Sequence, residues 1–218
     1  MSSLRKNADR ASGGITRRWS IIGLAATAAA VGTCNVAAGT IVEPAAARLI
    51  AAASAQIGVT KLYDASYQSL QFPGGDVPAD RGVCTDVIVR AYRQAFGFDL
   101  QQKVNVDMRA HGAVYPQRWG LHKPDANIDH RRVLNLQTYF ARQGAERPRP
   151  IGFTDWQPGD LVTQLVPANL PHIGIVSGTS NSDNTRLLVI HNIGQGTLLE
   201  DTLATYPITG RYRFFPAG

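Results

Sequence analysis

The sequence predicts an α+β fold, with helices in the first half of the chain and an antiparallel sheet in the second. Three observations carry that expectation. Apolar residues recur at helical spacing in several stretches between Pro44 and Arg142. Short β-branched or aromatic runs, separated by Gly-, Pro- and Asn-rich turns, fill the stretch from Asp160 to Phe215. Helices first and a strand meander afterwards is the arrangement of an α+β domain.

The 218 residues suffice for one ordinary domain and a processed leader. Of the net charge of +6, +4 lies before Gly39, so the body of the chain carries only +2 and no basic run. That distribution speaks against a phosphate-binding surface and against nucleic acid as a partner. Thr16 to Ser20 (TRRWS) precedes a mildly apolar stretch from Ile21 to Val31. Twin arginines in that position mark a Tat-type export signal. The small residues Val36, Ala37 and Ala38 place cleavage near Ala38, giving a leader over 1–38 and one domain over 39–218. The expected location is the periplasm or cell envelope, with membrane contact only through the signal. A retained anchor and a lipoprotein site at Cys34 are the alternatives, the latter weakened by the bulk of Thr33. Removal of the leader leaves Cys84 as the sole cysteine, which excludes an internal disulfide framework.

Within the body, Pro44 to Gln56 (PAAARLIAAASAQ) reads as a helix with Pro in its first turn and Gly58 as its stop. Tyr63 to Val83 is loop-like, punctuated by Pro73, Gly74, Gly75 and Pro78. Val87, Ile88, Ala91, Tyr92 and Ala95 form the apolar stripe of a second helix, ended by Gly97. Gln101 to Asp129 reads as irregular, and Arg131 to Arg142 as a further helix closed by Gly144. The expected strands are Asp160–Val166, His172–Ser177, Arg186–His191 and Arg211–Phe215.

Cys84 stands where the loop turns into the second helix. Unpaired backbone N–H groups and the positive end of the helix dipole favour a thiolate there, and the same groups can hold an oxyanion. A thiol nucleophile needs a base, and the base needs an orienter. His172 opens one expected strand, on the face of Gly174 and Val176, and His191 closes the next. Side chains at the ends of neighbouring strands come within hydrogen-bonding reach. His172 is therefore the expected base and His191 its orienter, with Asn192 a rival for that role. Asp86 and Asn192 are the candidate substrate contacts. A lowered thiol pKa and a bell-shaped pH profile follow from a Cys–His pair.

The ordered set of motifs resembles the NlpC-type cell-wall peptidases of the papain-like superfamily. It is more closely similar to the bacterial family known as domain of unknown function 1287. The resemblance rests on Phe72–Asp76 (FPGGD), Gly82–Val87 (GVCTDV) and Asn127–Arg132 (NIDHRR). It continues through Trp156–Leu161 (WQPGDL), His172–Val176 (HIGIV) and His191–Gly194 (HNIG). It implies a papain-like, NlpC-type fold with the nucleophile helix packed on an antiparallel sheet. It also implies a nucleophile at Cys84, a base at His172 and a third member at His191. The peptidases carry Asp-Cys-Ser where this chain has Val83-Cys84-Thr85, and the minimal ones have no clear counterpart of Gln101–Asp129.

Other residues carry weaker signals. Asp129 to Arg132 (DHRR) offers either a carboxylate clamp or a helix cap with His130 and the arginines on its wet face, and the cap is preferred. A zinc site from His111, His122 and His130 lacks a ligand-spacing motif. No metal or organic cofactor is implied. The expected activity is hydrolysis of an amide bond in peptidoglycan stem peptides through an acyl-thioester. A non-catalytic envelope binding protein and an acyltransferase are the competing readings.

Overall fold

A computed structural model describes residues 42–120 and 123–216. These fall within the unit Thr40–Gly218. The predicted leader, Cys34 and His122 lie outside the described residues.

Pro44 occupies the first turn of α1 (Pro44–Ser54), whose Leu49, Ala52 and Ala53 are buried against the helix that follows. Two short strands, β1 (Leu62–Tyr63) and β2 (Arg81–Gly82), pair in parallel and bring the chain to the start of α2 (Cys84–Phe96). Gly97 ends α2 with φ 65°, the left-handed turn that glycine adopts without a Cβ clash. Then comes α3 (Leu100–His111), where the sequence predicts irregular chain. Its buried stripe is Leu100, Gln101, Val104 and Asn105, so half of the helical signal is polar. Gln101 justifies its burial: it accepts from the Gly75 N–H and donates to the carbonyls of Gln71 and Ala126. A 3-10 turn at Asp129–Arg131 leads into α4 (Val133–Arg142).

The second half is an antiparallel five-stranded sheet in the order β6-β5-β4-β3-β7. Its members are β3 (Leu161–Val166), β4 (Leu170–Ser180), β5 (Leu187–Asn192), β6 (Thr197–Glu200) and β7 (Ile208–Tyr212). The fold is α+β, with four helices and this sheet. Strand alternation divides the apolar side chains between two faces. Leu161, Ile173, Ile175 and Ile190 join the helices around Ile88, Tyr92, Leu136 and Phe140. Val162, Val176 and Val189 form a smaller cluster with Trp156 and Leu203 on the other face. Tyr92, fully buried, donates its hydroxyl to the Phe214 carbonyl at 2.8 Å and thereby ties α2 to the C-terminal segment.

Asp129 does not cap α4, because the helix begins beyond Arg132. Its carboxylate accepts from the Asp125 N–H at 2.6 Å and pairs with Arg132 at 3.2 Å. Nor do His130 and Arg131 lie on a wet face: they are 2% and 6% exposed. Arg131 is drawn inside by Asp86, which it meets at 3.0 Å, and by the carbonyls of Asp64 and Ser66.

Candidate active site

β4 and β5 pair as far as Ile175 and Ile190, and beyond that point their ends receive the N-terminus of α2. From β5, Asn192 donates its amide to the Gly82 carbonyl at 2.9 Å. From β4, the Ile173 N–H is directed at the Cys84 sulfur, joined by the N–H groups of Thr85 and Cys84 itself. The helix start is thus held between two strand ends, and the thiol is held among backbone donors.

Burial nevertheless governs this thiol. Cys84 is 4% exposed, and its pKa is pushed up to about 12, because loss of hydration outweighs the three backbone donors. The lowered pKa expected from the helix terminus is therefore reversed in this structure. Cys84 borders a hollow of about 190 Å³ that is also lined by Tyr63, Ala65, Trp119, Arg132 and Pro171. Tyr63 is close enough to Cys84, Asp86 and Arg131 for their charges to act on its hydroxyl, and burial first of all raises its pKa to about 12.

His172 and His191 meet directly, with His172 Nε2 2.9 Å from His191 Nδ1 and the rings edge to face. Gly174 makes this possible. A Cβ there would run into the Val189 side chain and come within 3.2 Å of His191 Cβ, so the missing side chain leaves room for Val189 and, beside it, His191. On its other side His191 Nε2 lies 3.1 Å from Glu200 Oε2, close although imperfectly aligned for a hydrogen bond. Register explains the meeting: Val189 is paired with Glu200 and His191 with Leu198, so His191 and Glu200 are diagonal neighbours on one face.

These contacts order the protons. A carboxylate only accepts, so Glu200 favours the proton on His191 Nε2 and leaves Nδ1 bare. A bare Nδ1 accepts from His172 Nε2–H, and His172 Nδ1 then carries the free lone pair. Burial, and secondarily His191, lowers the His172 pKa to about 3. Burial lowers that of His191 too, against the pull of Glu200. At neutral pH the thiol and both imidazoles are uncharged.

Of the residues singled out in the sequence, the structure brings His172 and His191 into contact and sets Cys84 against β4 at the residue after His172. It records no hydrogen bond between Cys84 and His172, and strand alternation turns His172 to the face opposite Ile173. Asp86 is occupied elsewhere: its carboxylate takes the Val83 N–H at 2.7 Å and the Arg131 guanidinium. Asn192 is wholly buried between Gly82 and the Gly194 N–H, and its side-chain hydrogen bonds go to these and not to His172. His111 pairs with Asp107 near the surface, whereas His130 is buried, and burial first of all lowers its pKa to about 4. Sequence reasoning passed over Tyr63, Trp119 and Glu200, and it ranked a clamp role for Arg132 below the helix cap. Glu200 had one available signal, an acidic residue ending the apolar run Thr197–Glu200 just beyond a Gly-Gln-Gly turn.

Comparison with known proteins identifies relatives of the chain. The chain is 49% identical over 160 residues to "Uncharacterized protein YijF" of Escherichia coli (strain K12), covering 73% of this chain and 77% of that protein. Residues 50–214 match the family described as "Domain of unknown function (DUF1287)". That span runs from α1 to the segment after β7 and holds Cys84, His172, His191 and Glu200, and the chain belongs to the DUF1287 family.

Proposed function

We propose that this protein is an exported cysteine hydrolase of papain-like, NlpC-type fold that cleaves an amide bond in peptidoglycan stem peptides. The observation that carries the reading is the meeting of a helix-start thiol with β4 beside a Glu200–His191–His172 chain. Cys84 attacks the amide carbonyl as His172 Nδ1 takes the thiol proton. Backbone N–H groups of the first turn of α2 hold the oxyanion. The amine leaves with the proton from the imidazolium, and water, deprotonated by the same nitrogen, hydrolyses the thioester, that proton then passing to the released Cys84 sulfur. Because thiol and imidazole rest uncharged, attack and proton transfer proceed together and not from a preformed ion pair. Export to the envelope follows from the twin-arginine leader.

One set of observations favours a second reading, a non-catalytic envelope protein that binds cell-wall peptide. The thiol is buried, its pKa is raised, and His172 bonds His191 instead. Incubating the full chain and its Cys84→Ala variant with purified peptidoglycan, followed by mass analysis of released fragments, decides between them. The hydrolase reading expects new amine-ended fragments from the wild type alone. Binding of peptidoglycan by both proteins without any fragment would establish the second reading.

A further inference from the structure

The hollow beside Cys84 has a neighbour of about 170 Å³ lined by Lys123, Asp129 and Pro116, among others. The two share Trp119 and Arg132. The Arg132 guanidinium stacks on the Trp119 ring, 4.1 Å from its centroid. Its Nη1 is bound to Asp129 at 3.2 Å. Among the described residues Nε and Nη2 have no hydrogen-bond partner, and the side chain keeps 18% of its surface exposed. One edge of the guanidinium is therefore an open two-donor fork, aimed by a stacking face on one side and an ion pair on the other.

We infer that Arg132, stacked on Trp119, is a subsite for a free carboxylate on the peptide whose carbonyl is presented to Cys84. The inference rests on the hydrolase reading for the placement of that carbonyl. Its chemistry follows from the fork. Two parallel N–H donors match two coplanar carboxylate oxygens, and a guanidinium already fixed loses little freedom in binding them. Lys123 adds a second positive charge to the rim. Asp129, sharing Arg132, makes the site hospitable to one negative charge and less so to the two of a phosphate. The side chain is only 18% exposed, so the pair forms partly out of water, where a charged hydrogen bond counts for more than at the surface.

The test uses a matched pair of synthetic L-alanyl-γ-D-glutamyl-L-lysine peptides, one with the glutamyl α-carboxylate free and one with it as the carboxamide. Binding to the full-length Cys84→Ala chain is measured by calorimetry, alone and combined with Arg132→Gln or Arg132→Lys, with thermal melts to confirm folding. The expected result is a preference of about tenfold or more for the carboxylate. Arg132→Gln should abolish it and Arg132→Lys restore part of it, and inorganic phosphate should compete poorly. Equal binding of the two peptides, no binding of either, or a preference that survives Arg132→Gln overturns the subsite. Turnover by the wild type keeps the two proposals apart. Carboxylate-selective binding without cleavage overturns the hydrolase and keeps the subsite. Equal cleavage of both peptides does the reverse.

Discussion

Glu200 decides where the protons sit in the histidine pair, and that decision is testable without any substrate. In Glu200→Gln an amide that both donates and accepts replaces a pure acceptor, so the proton order of His191 and His172 is no longer imposed. Imidazole 15N shifts should report mixed tautomers, with Glu200→Asp closer to the wild type, and turnover should fall roughly tenfold or more. Unchanged shifts in Glu200→Gln would remove Glu200 from the site. With the His172 pKa at about 3 and that of Cys84 at about 12, turnover should be flat across neutral pH. A bell with limbs near the ordinary histidine and cysteine values would mean that substrate-free burial does not describe the working site. Asp86 and Arg131 make a different kind of claim, one about stability. Asp86→Ala leaves a buried guanidinium without its carboxylate and the Val83 N–H without its acceptor. A loss of about 3–5 kcal/mol in urea unfolding is expected. The placing of Cys84 at a helix start and the meeting of His172 with His191 were legible in the sequence, because a helix start and two neighbouring strands are themselves legible. Glu200 was not, since its contact depends on the register of a hairpin the sequence hardly announces.

Among elements, β4 and β5 carry the site's precision, and Gly174 is where they depend on a single atom. Gly174→Ala should force Val189 and His191 away, costing about 1–3 kcal/mol by overpacking and separating the two histidines. The check is chemical denaturation together with the tautomer spectrum. Retention of the native spectrum would show that the sheet absorbs a methyl group there. The helices α1, α2 and α4 were readable from buried stripes that are mostly apolar. α3 was missed because Gln101 and Asn105 occupy half of its buried stripe. β6 was missed because four residues between Gly196 and Asp201 are too few to show alternation.

Across the whole molecule, buried neutral histidines make stability depend on acid. His130 and His172 have pKa values lowered to about 4 and about 3, and that of His191 is lowered as well. Above the unfolded value of 6.5 nothing is lost. Below it the unfolded chain binds protons that the native one refuses, until the native pKa is reached. At pH 5 that amounts to roughly 2 kcal/mol for each of His130 and His172. Asp129, its pKa raised by burial, works in the opposite sense and offsets part of the loss. The melting temperature should fall from pH 7 to pH 5, and His130→Gln should flatten the slope without touching the site. An unchanged slope in that variant would mean that His130 is protonated in the native state. The assembled centre also has a history in time. The amide of Asn192 reaches the carbonyl of Gly82 across 110 residues of sequence. Closing so long a loop is entropically slow and comes after local structure has formed. A chain still emerging holds Cys84 as an ordinary thiol, and the surroundings that set it apart do not exist until the last hairpin has arrived.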